Sequence, residues 1–278
     1  MRKIIFALVL VLSFSVSASA ELKIGFFEQL NSTPEEFQSS SLSYSIHHMS
    51  LLSKGHEGGY KCLFFDDLST QLMALEAGVI DEVDMPAVSA VYVLNTCGGK
   101  YNLTCYEYST TPMYLSMGFL KSNPNGETLR EKFDSAIKSM KADGTLSNLI
   151  LTYVIEPDLN ELKSVTFEKF DGADEIKIAV TGDYPPLDYI RADGTAAGFN
   201  TAVLAEIGKR LKMNIKLVNI NTASRTSALT SGRADVVFMY LIAEGVDKQR
   251  DAPEGILLSE PYYKFFEFMH IGLSREEK

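Results

Sequence analysis

Basic charge is in short supply in this sequence: 26 Lys and Arg stand against 36 Asp and Glu, a formal net charge of −10. Nucleic-acid binding draws on basic patches, so this balance argues against a nucleic-acid partner and suits a soluble, exported chain. Cysteine is scarce as well. Cys62, Cys97 and Cys105 are the only three, and their spacing fits no zinc site. Catalytic signatures are missing: there is no Gly-x-Ser-x-Gly elbow, no phosphate loop and no paired-Cys motif. Of four histidines, His47, His48 and His56 share a Gly/Ser-flanked stretch with Glu57, but without fixed ligand spacing. The sequence therefore implies no enzyme and no cofactor. After the first twenty residues no long apolar run follows.

Those twenty residues have the build of a secretory signal. Arg2 and Lys3 precede an apolar stretch from Ile4 to Val16, and Ser17-Ala18-Ser19-Ala20 is a small-residue cleavage site. The apolar stretch is short for a membrane span. The 258 residues from Glu21 onward carry a net charge of −12, and no Cys sits at the cleavage site to take a lipid. That length allows one large domain or two ordinary ones. Export permits disulfides. Cys97 and Cys105 flank Gly98-Gly99, so a small bridged loop with Cys62 left buried is expected. Three free thiols are the alternative.

Strand and helix signals alternate along the chain. LKIGFF (22–27) has the composition of a buried strand. Thr33 can cap a helix, Pro34 suits its first position, and Glu35 and Glu36 suit its first turn. A helix is expected over 67–77, closed at Gly78, then a strand over 80–83 and another helix after Pro86. Leu129, Phe133, Ile137 and Met140 mark a helical region over 127–151, broken at Asp143-Gly144. Residues 156–173 are polar and have the character of a linker. Then the alternation restarts: strand 176–180, a turn-rich loop 183–189, a turn at Asp193-Gly194, helix 202–211, strand 215–220, helix 224–229 and strand 236–240. This order gives an α/β class.

One phrase occurs twice. ALEAGVID (74–81) and ALTSGRAD (228–235) share Ala-Leu-x-x-Gly-x-x-Asp at an offset of 154 residues. The same offset links Leu22-Lys23-Ile24 to Ile176-Lys177-Ile178. In each copy Ala-Leu ends a helix packed on a sheet, Gly closes it in the left-handed conformation, and Asp starts a strand. Two lobes built alike are expected, with a small-molecule cleft beyond the carboxyl ends of their strands.

IKIAVTGDYPPLDY, DGTAAGF, the helix ending in KRL, SALTSGRADVVF and LSEPYY make residues 176–263 resemble the first lobe of bacterial extracellular solute-binding proteins of family 3, the polar amino-acid binders of ABC importers. ELKIGFFEQLNSTPEEF, ALEAGVIDEVDMPAV and LREKFDSAIKSMKADGTLSNLI make residues 21–154 resemble the second lobe and closing helices of the same family. The order is reversed, so the resemblance implies a circularly permuted, two-lobed periplasmic-binding-protein-like type II fold. In it, residues 1–20 are the signal and 21–115 the second-lobe-like domain. Residues 116–155 hold a hinge strand and closing helices, 156–173 the linker, and 174–278 the first-lobe-like domain. Tyr114–Leu120 and Phe265–Leu273 would be the hinge strands. A truncated tandem of two binding proteins is the rival.

The resemblance implies a periplasmic, monomeric protein that captures a small polar ligand, an amino acid above all, for an ABC permease in the inner membrane. For the ligand's carboxylate it points to Ser32 and Thr33, where simple helix capping is the alternative. Arg250 and Arg225 compete for the same carboxylate, and a solvated surface role is the alternative for each. For the ammonium it points to Asp84, with Asp81 and Glu82 close by. Tyr184, before Pro185-Pro186, would stack on the ligand, and Phe238 and Tyr240 would line a smaller, more aromatic pocket. Tyr262 and Tyr263 have the character of core and hinge residues. Sensing through a separate membrane receptor and a dehydratase-like enzyme on the same fold are the alternatives in function.

Overall fold

The computed structural model describes residues 21–27, 33–39, 59–158, 164–243 and 253–274, with the backbone alone at 107–111. In the first part of the chain, β1 (Leu22–Phe27), α1 (Pro34–Gln38), β2 (Tyr60–Phe65), α2 (Leu68–Glu76), β3 (Glu82–Pro86), α3 (Ala87–Thr96) and β4 (Tyr101–Leu120) follow one another. Next come α4 (Gly126–Ala142), α5 (Thr145–Ile150) and a π-helical turn (Leu151–Ile155). The second part holds β5 (Glu175–Val180), β6 (Asp183–Tyr184), β7 (Asp188–Ile190), β8 (Ala196–Ala197), α6 (Phe199–Leu211) and β9 (Asn214–Asn219). It ends with a 3-10 turn (Thr222–Ser224), α7 (Arg225–Thr230), β10 (Val236–Ala243), β11 (Ile256–Leu258) and β12 (Tyr263–Leu273). The protein is α/β, as the alternation implies.

Local chemistry sets these boundaries. Thr33 caps α1 through a reciprocal pair: its Oγ1 accepts from Glu36 N at 3.2 Å, and its N donates to Glu36 Oε2 at 2.9 Å. Asp67 caps α2 by accepting from Thr70 N at 2.7 Å. Gly144, with φ of 82°, separates α4 from α5. β3 begins at Glu82, later than the expected Ile80. Val79 N and Ile80 N still donate to Ala74 O, which ties the chain to α2 until Asp81. The expected linker is partly anchored: Val165 N donates to Ala196 O, and the Asn214 side chain clasps Phe170 through both its N–H and its carbonyl.

Nine strands form one sheet in the order β2-β1-β3-β12-β4-β10-β5-β9, with β11 added against β4. The order is mirrored about its centre. β1 lies parallel to β2 and β3, and β5 lies parallel to β9 and β10. β12 and β4 run antiparallel to each other and to the outer strands beside them. β4, twenty residues long, pairs with β12 along most of its length and with β10 only from Met113 to Phe119. It therefore carries the sheet from one half into the other. A three-stranded sheet, β6-β7-β8, stands apart.

The repeated phrase is a repeated structure. Gly78 and Gly232 both have φ of 70° and close α2 and α7 in the same way. Asp81 accepts from Lys23 N at 2.8 Å, and Asp235 accepts from Lys177 N at 2.9 Å. Both aspartates also donate their own N–H back to the same lysine's carbonyl at 2.8 Å. Ile24 lies opposite Glu82 and Ile178 opposite Val236, so the strand register repeats at the same offset of 154 as the sequence.

The main apolar core runs through both halves. Leu75, Ile80 and Val83 belong to it in one, Ile178, Val236 and Phe199 in the other. α4 and α5 pack on α6 in the second half. Arg210 of α6 fastens them by donating to Ser139 Oγ at 2.7 Å and Thr145 Oγ1 at 2.9 Å, and by pairing with Asp143 at 2.8 Å.

Candidate functional site

The mirrored strand order points the carboxyl ends of β1–β3 and of β5, β9 and β10 toward each other. The segments that leave those ends meet in a crevice. Leu68 N, at the start of α2, donates to Asp183 Oδ2 at 3.3 Å, and Phe27 at the end of β1 packs edge-on against the Tyr184 ring at 4.6 Å. Both contacts join the two halves.

Asp84 and Tyr184, assigned separately from the sequence, are brought together here. Tyr184 is 4% exposed and Asp84 8%. Burial, and then the Asp84 charge, hold the Tyr184 pKa well above its ordinary value, with Ser89 acting in the opposite sense. The Tyr184 and Ser89 hydroxyls have no hydrogen-bond partner among the described residues, and neither has the buried Gln71 side chain.

Asp84 also belongs to a cluster that sequence reasoning missed. His270, fully buried on β12, lies between two carboxylates of β3: its Nδ1 is 2.9 Å from Glu82 Oε2 and its Nε2 3.3 Å from Asp84 Oδ1. Burial raises the Asp84 pKa; the His270 contact opposes that rise and the Glu82 charge adds to it. β3 and β12 are nearly two hundred residues apart in the chain, so only strand pairing reveals this cluster. The sequence signal was a lone His in the otherwise apolar and aromatic FMHIGL run.

The crevice holds a polar cavity of about 510 Å³. Asp66, Asp67 and Ser69 line it from the first half; Thr181, Asp183, Asn221 and Arg233 are among its walls in the second. Burial pushes Asp183 up to about 6, aided by the charges of Asp188 and Asp67 and opposed by Thr181 and by the Leu68 N–H. Asp188 is fully committed to structure: its Oδ2 accepts from Thr181 N, Gly182 N and Thr181 Oγ1. A second cavity of about 420 Å³ lies beside the first, between α2, α3 and the β6–β7 hairpin, and Ser69 and Asp183 belong to the walls of both.

The other sequence candidates have different surroundings. Arg225 is buried, and its Nε and Nη1 donate to Thr222 O at 3.2 Å and Met239 O at 3.1 Å while its guanidinium stacks over Tyr240 at 5.1 Å. It braces the bulge of β10, where Met239 has φ of 63°. Phe238 packs on Tyr262 in the main core, at 5.0 Å between ring centroids. Tyr240 belongs to a separate cluster with Val237 and Leu229, close enough to Gly118 that a methyl group there would collide with its ring. Phe238 and Tyr240 line neither cavity, and neither do Asp84 and Tyr184, which are buried behind the walls. Thr33 caps α1, while Ser32 and Arg250 lie outside the described residues, as do His47, His48 and His56.

The expected Cys97–Cys105 disulfide is corrected: the two are not joined. Cys97 ends α3 and its thiol turns toward the carbonyls of Leu94 and Tyr101, whereas Cys105 lies in the β4 ladder opposite His270. Cys62 is buried, as expected. Among the described residues no group of His, Cys, Asp and Glu is arranged to hold a metal, and no helix is long and apolar enough to cross a membrane.

Several solved structures are similar to this one. The ligand-binding component of an ABC-type import system from Staphylococcus aureus with zinc bound has 12% identity and a TM-score of 0.45; the match covers 91% of this chain and 65% of that one. A periplasmic substrate-binding protein of an ABC transporter from Coxiella burnetii has 13% identity and a TM-score of 0.38, with 91% and 85% covered. The periplasmic aliphatic sulphonate binding protein SsuA from Escherichia coli has 10% identity and a TM-score of 0.39, with 91% and 65% covered. The chain thus spans 65% of the length of the Staphylococcus aureus protein. No curated protein matches the sequence. One family model does: over residues 176–269 the chain matches bacterial extracellular solute-binding proteins, family 3.

Proposed function

We propose that this is an exported solute-binding protein that captures a small polar molecule, an amino acid above all, in the crevice between its two half-sheets. In this reading it works in the periplasm as a monomer and delivers its ligand to an ABC permease. The observation that carries the reading is the crevice itself. Strand ends from both halves converge on one polar cavity, and residues of both halves make its walls. The family match over residues 176–269 supports it.

The circular permutation belongs to the same reading. It is supported by the order of elements, since α4 and α5 precede β5 in the chain yet pack on α6, which follows it. β4 and β12 serve as the hinge. A ligand held by both halves has greater affinity for the closed form and draws the equilibrium to it. Its ammonium is assigned to Asp84 and its flat or apolar surface to Tyr184. With Arg225 engaged by backbone carbonyls, the carboxylate partner falls to Arg250 or to backbone N–H groups of the crevice.

A thermal-shift screen of ligand-free protein tests this. The panel holds the twenty amino acids, small dicarboxylates and polyamines. One chemical class is expected to raise the melting temperature by several degrees through mass action. Asp84→Asn and Tyr184→Phe are expected to weaken that ligand at least tenfold, which titration calorimetry would measure. A panel without a single shift would overturn the reading.

A further inference from the structure

The second cavity lies outside the polar crevice that the proposed function uses, and its chemistry differs. Leu72 and Val93 come from α2 and α3, Pro185 and Ile190 from the β6–β7 hairpin, and Tyr92 and Tyr189 bring aromatic rings from the two sides. Tyr92 and Tyr189 are near each other: the Tyr92 pKa is raised by burial and then by the Tyr189 charge. A volume of about 420 Å³ comfortably exceeds the roughly 150 Å³ that suffices to hold a benzene ring.

The two cavities adjoin: Ser69 and Asp183 belong to the walls of both, so Asp183 faces a polar cavity on one side and an apolar one on the other. The polar end presents three carboxylates, Asp66, Asp67 and Asp183, and one guanidinium, Arg233, which already donates to Asn219 O at 3.0 Å. That imbalance complements a cation. The far end is apolar and aromatic and complements a ring.

We propose that the crevice and this second cavity form one elongated site, which takes an amine whose ammonium pairs with Asp183 and whose aromatic tail lies between Tyr92 and Tyr189. The proposal rests on the crevice reading but moves two of its assignments, the ammonium from Asp84 to Asp183 and the flat surface from Tyr184 to Tyr92 and Tyr189, because Asp84 and Tyr184 line neither cavity. The ligand is an aromatic amine or aromatic amino acid rather than a short polar or dicarboxylic one. Asp183 is then the point that sets head from tail, and the pocket around Leu72 measures tail size.

Titration calorimetry with ethylamine and 2-phenylethylamine on the folded mature protein tests it. The phenyl compound is expected to bind at least tenfold more tightly. Leu72→Trp, which fills the second cavity, is expected to reduce that ratio to threefold or less, and Tyr92→Ala to reduce it in part. Asp183→Asn is expected to weaken both amines. A cooperative melt of each variant establishes that it is folded. Equal affinity for the two amines, or a ratio that survives both tail-pocket variants, would overturn the proposal. If neither amine binds, the proposal fails; the crevice reading fails with it only if the amino-acid panel also gives no shift.

Discussion

Asp183 shows how much a single residue can be asked to do. It lies at the seam of the two halves, takes an N–H from Leu68, and belongs to the walls of both cavities. Burial raises its pKa from 3.8 to about 6. Because the folded value lies above the unfolded one, its contribution to stability is fully present below about pH 4. That contribution is lost as pH rises through about 6. The melting temperature of the wild type relative to Asp183→Asn is therefore expected to fall as pH goes from 4 to 7. The change corresponds to about 2 kcal/mol, because a tenfold difference in proton affinity is worth about 1.4 kcal/mol and solvent screening removes part of the total. Melts of both proteins across that range would measure it, and parallel curves would refute it. At this scale the sequence was informative unevenly. Asp84 and Tyr184 were both singled out from the sequence as candidates. That the Asp84 charge reaches Tyr184 was not legible, nor was His270, because proximity across strands leaves no trace in local spacing. Arg225 was visible as a guanidinium, but its engagement with the Met239 carbonyl depends on a bulge that no motif announces.

Elements were easier to recognise than contacts. Caps, glycines and apolar periods are local, so β1, α1, the break at Asp143-Gly144 and the turn at Gly194 all lie where residue chemistry sets them. The length of β4 was not legible, since a strand of twenty residues reflects partners elsewhere in the chain. The repeated helix–turn–strand element offers a direct comparison within one molecule. Asp81 and Asp235 make the same bond to Lys23 N and Lys177 N. Asp81→Ala and Asp235→Ala are each expected to cost about 1–2 kcal/mol, with Asp235 at the upper end because its bond is less exposed. Urea unfolding would give both values. A negligible cost at one site and a large one at the other would show that the two copies share geometry but not energetics.

At the scale of the whole molecule, the mirrored order makes a further test possible. β1 and β12 are separated in the sheet only by β3, so the first and last described strands lie close together. A re-cut chain, joined from Ser274 to Glu21 by a short flexible linker and opened between residues 158 and 164, is expected to fold. It should melt within a few degrees of the original and keep its ligand preference. Failure to fold would count against the permuted reading, because compact domains with neighbouring ends tolerate such rearrangement.

The position of β12 also constrains how the sheet is assembled. Among the described residues it follows every other strand, yet it lies between β3 and β4. Until residues 263–273 are available, β3 has no partner on that side and β4 lacks its longest one. A chain released from its amino end can form helices and the parallel pairs around β1 and β5, but these remain separate pieces. The last strand joins them in one step. Loop closure over such sequence distances is slow, so the exposed strand edges persist until it arrives. The same strand that carries His270 to Asp84 is the one whose arrival closes the sheet.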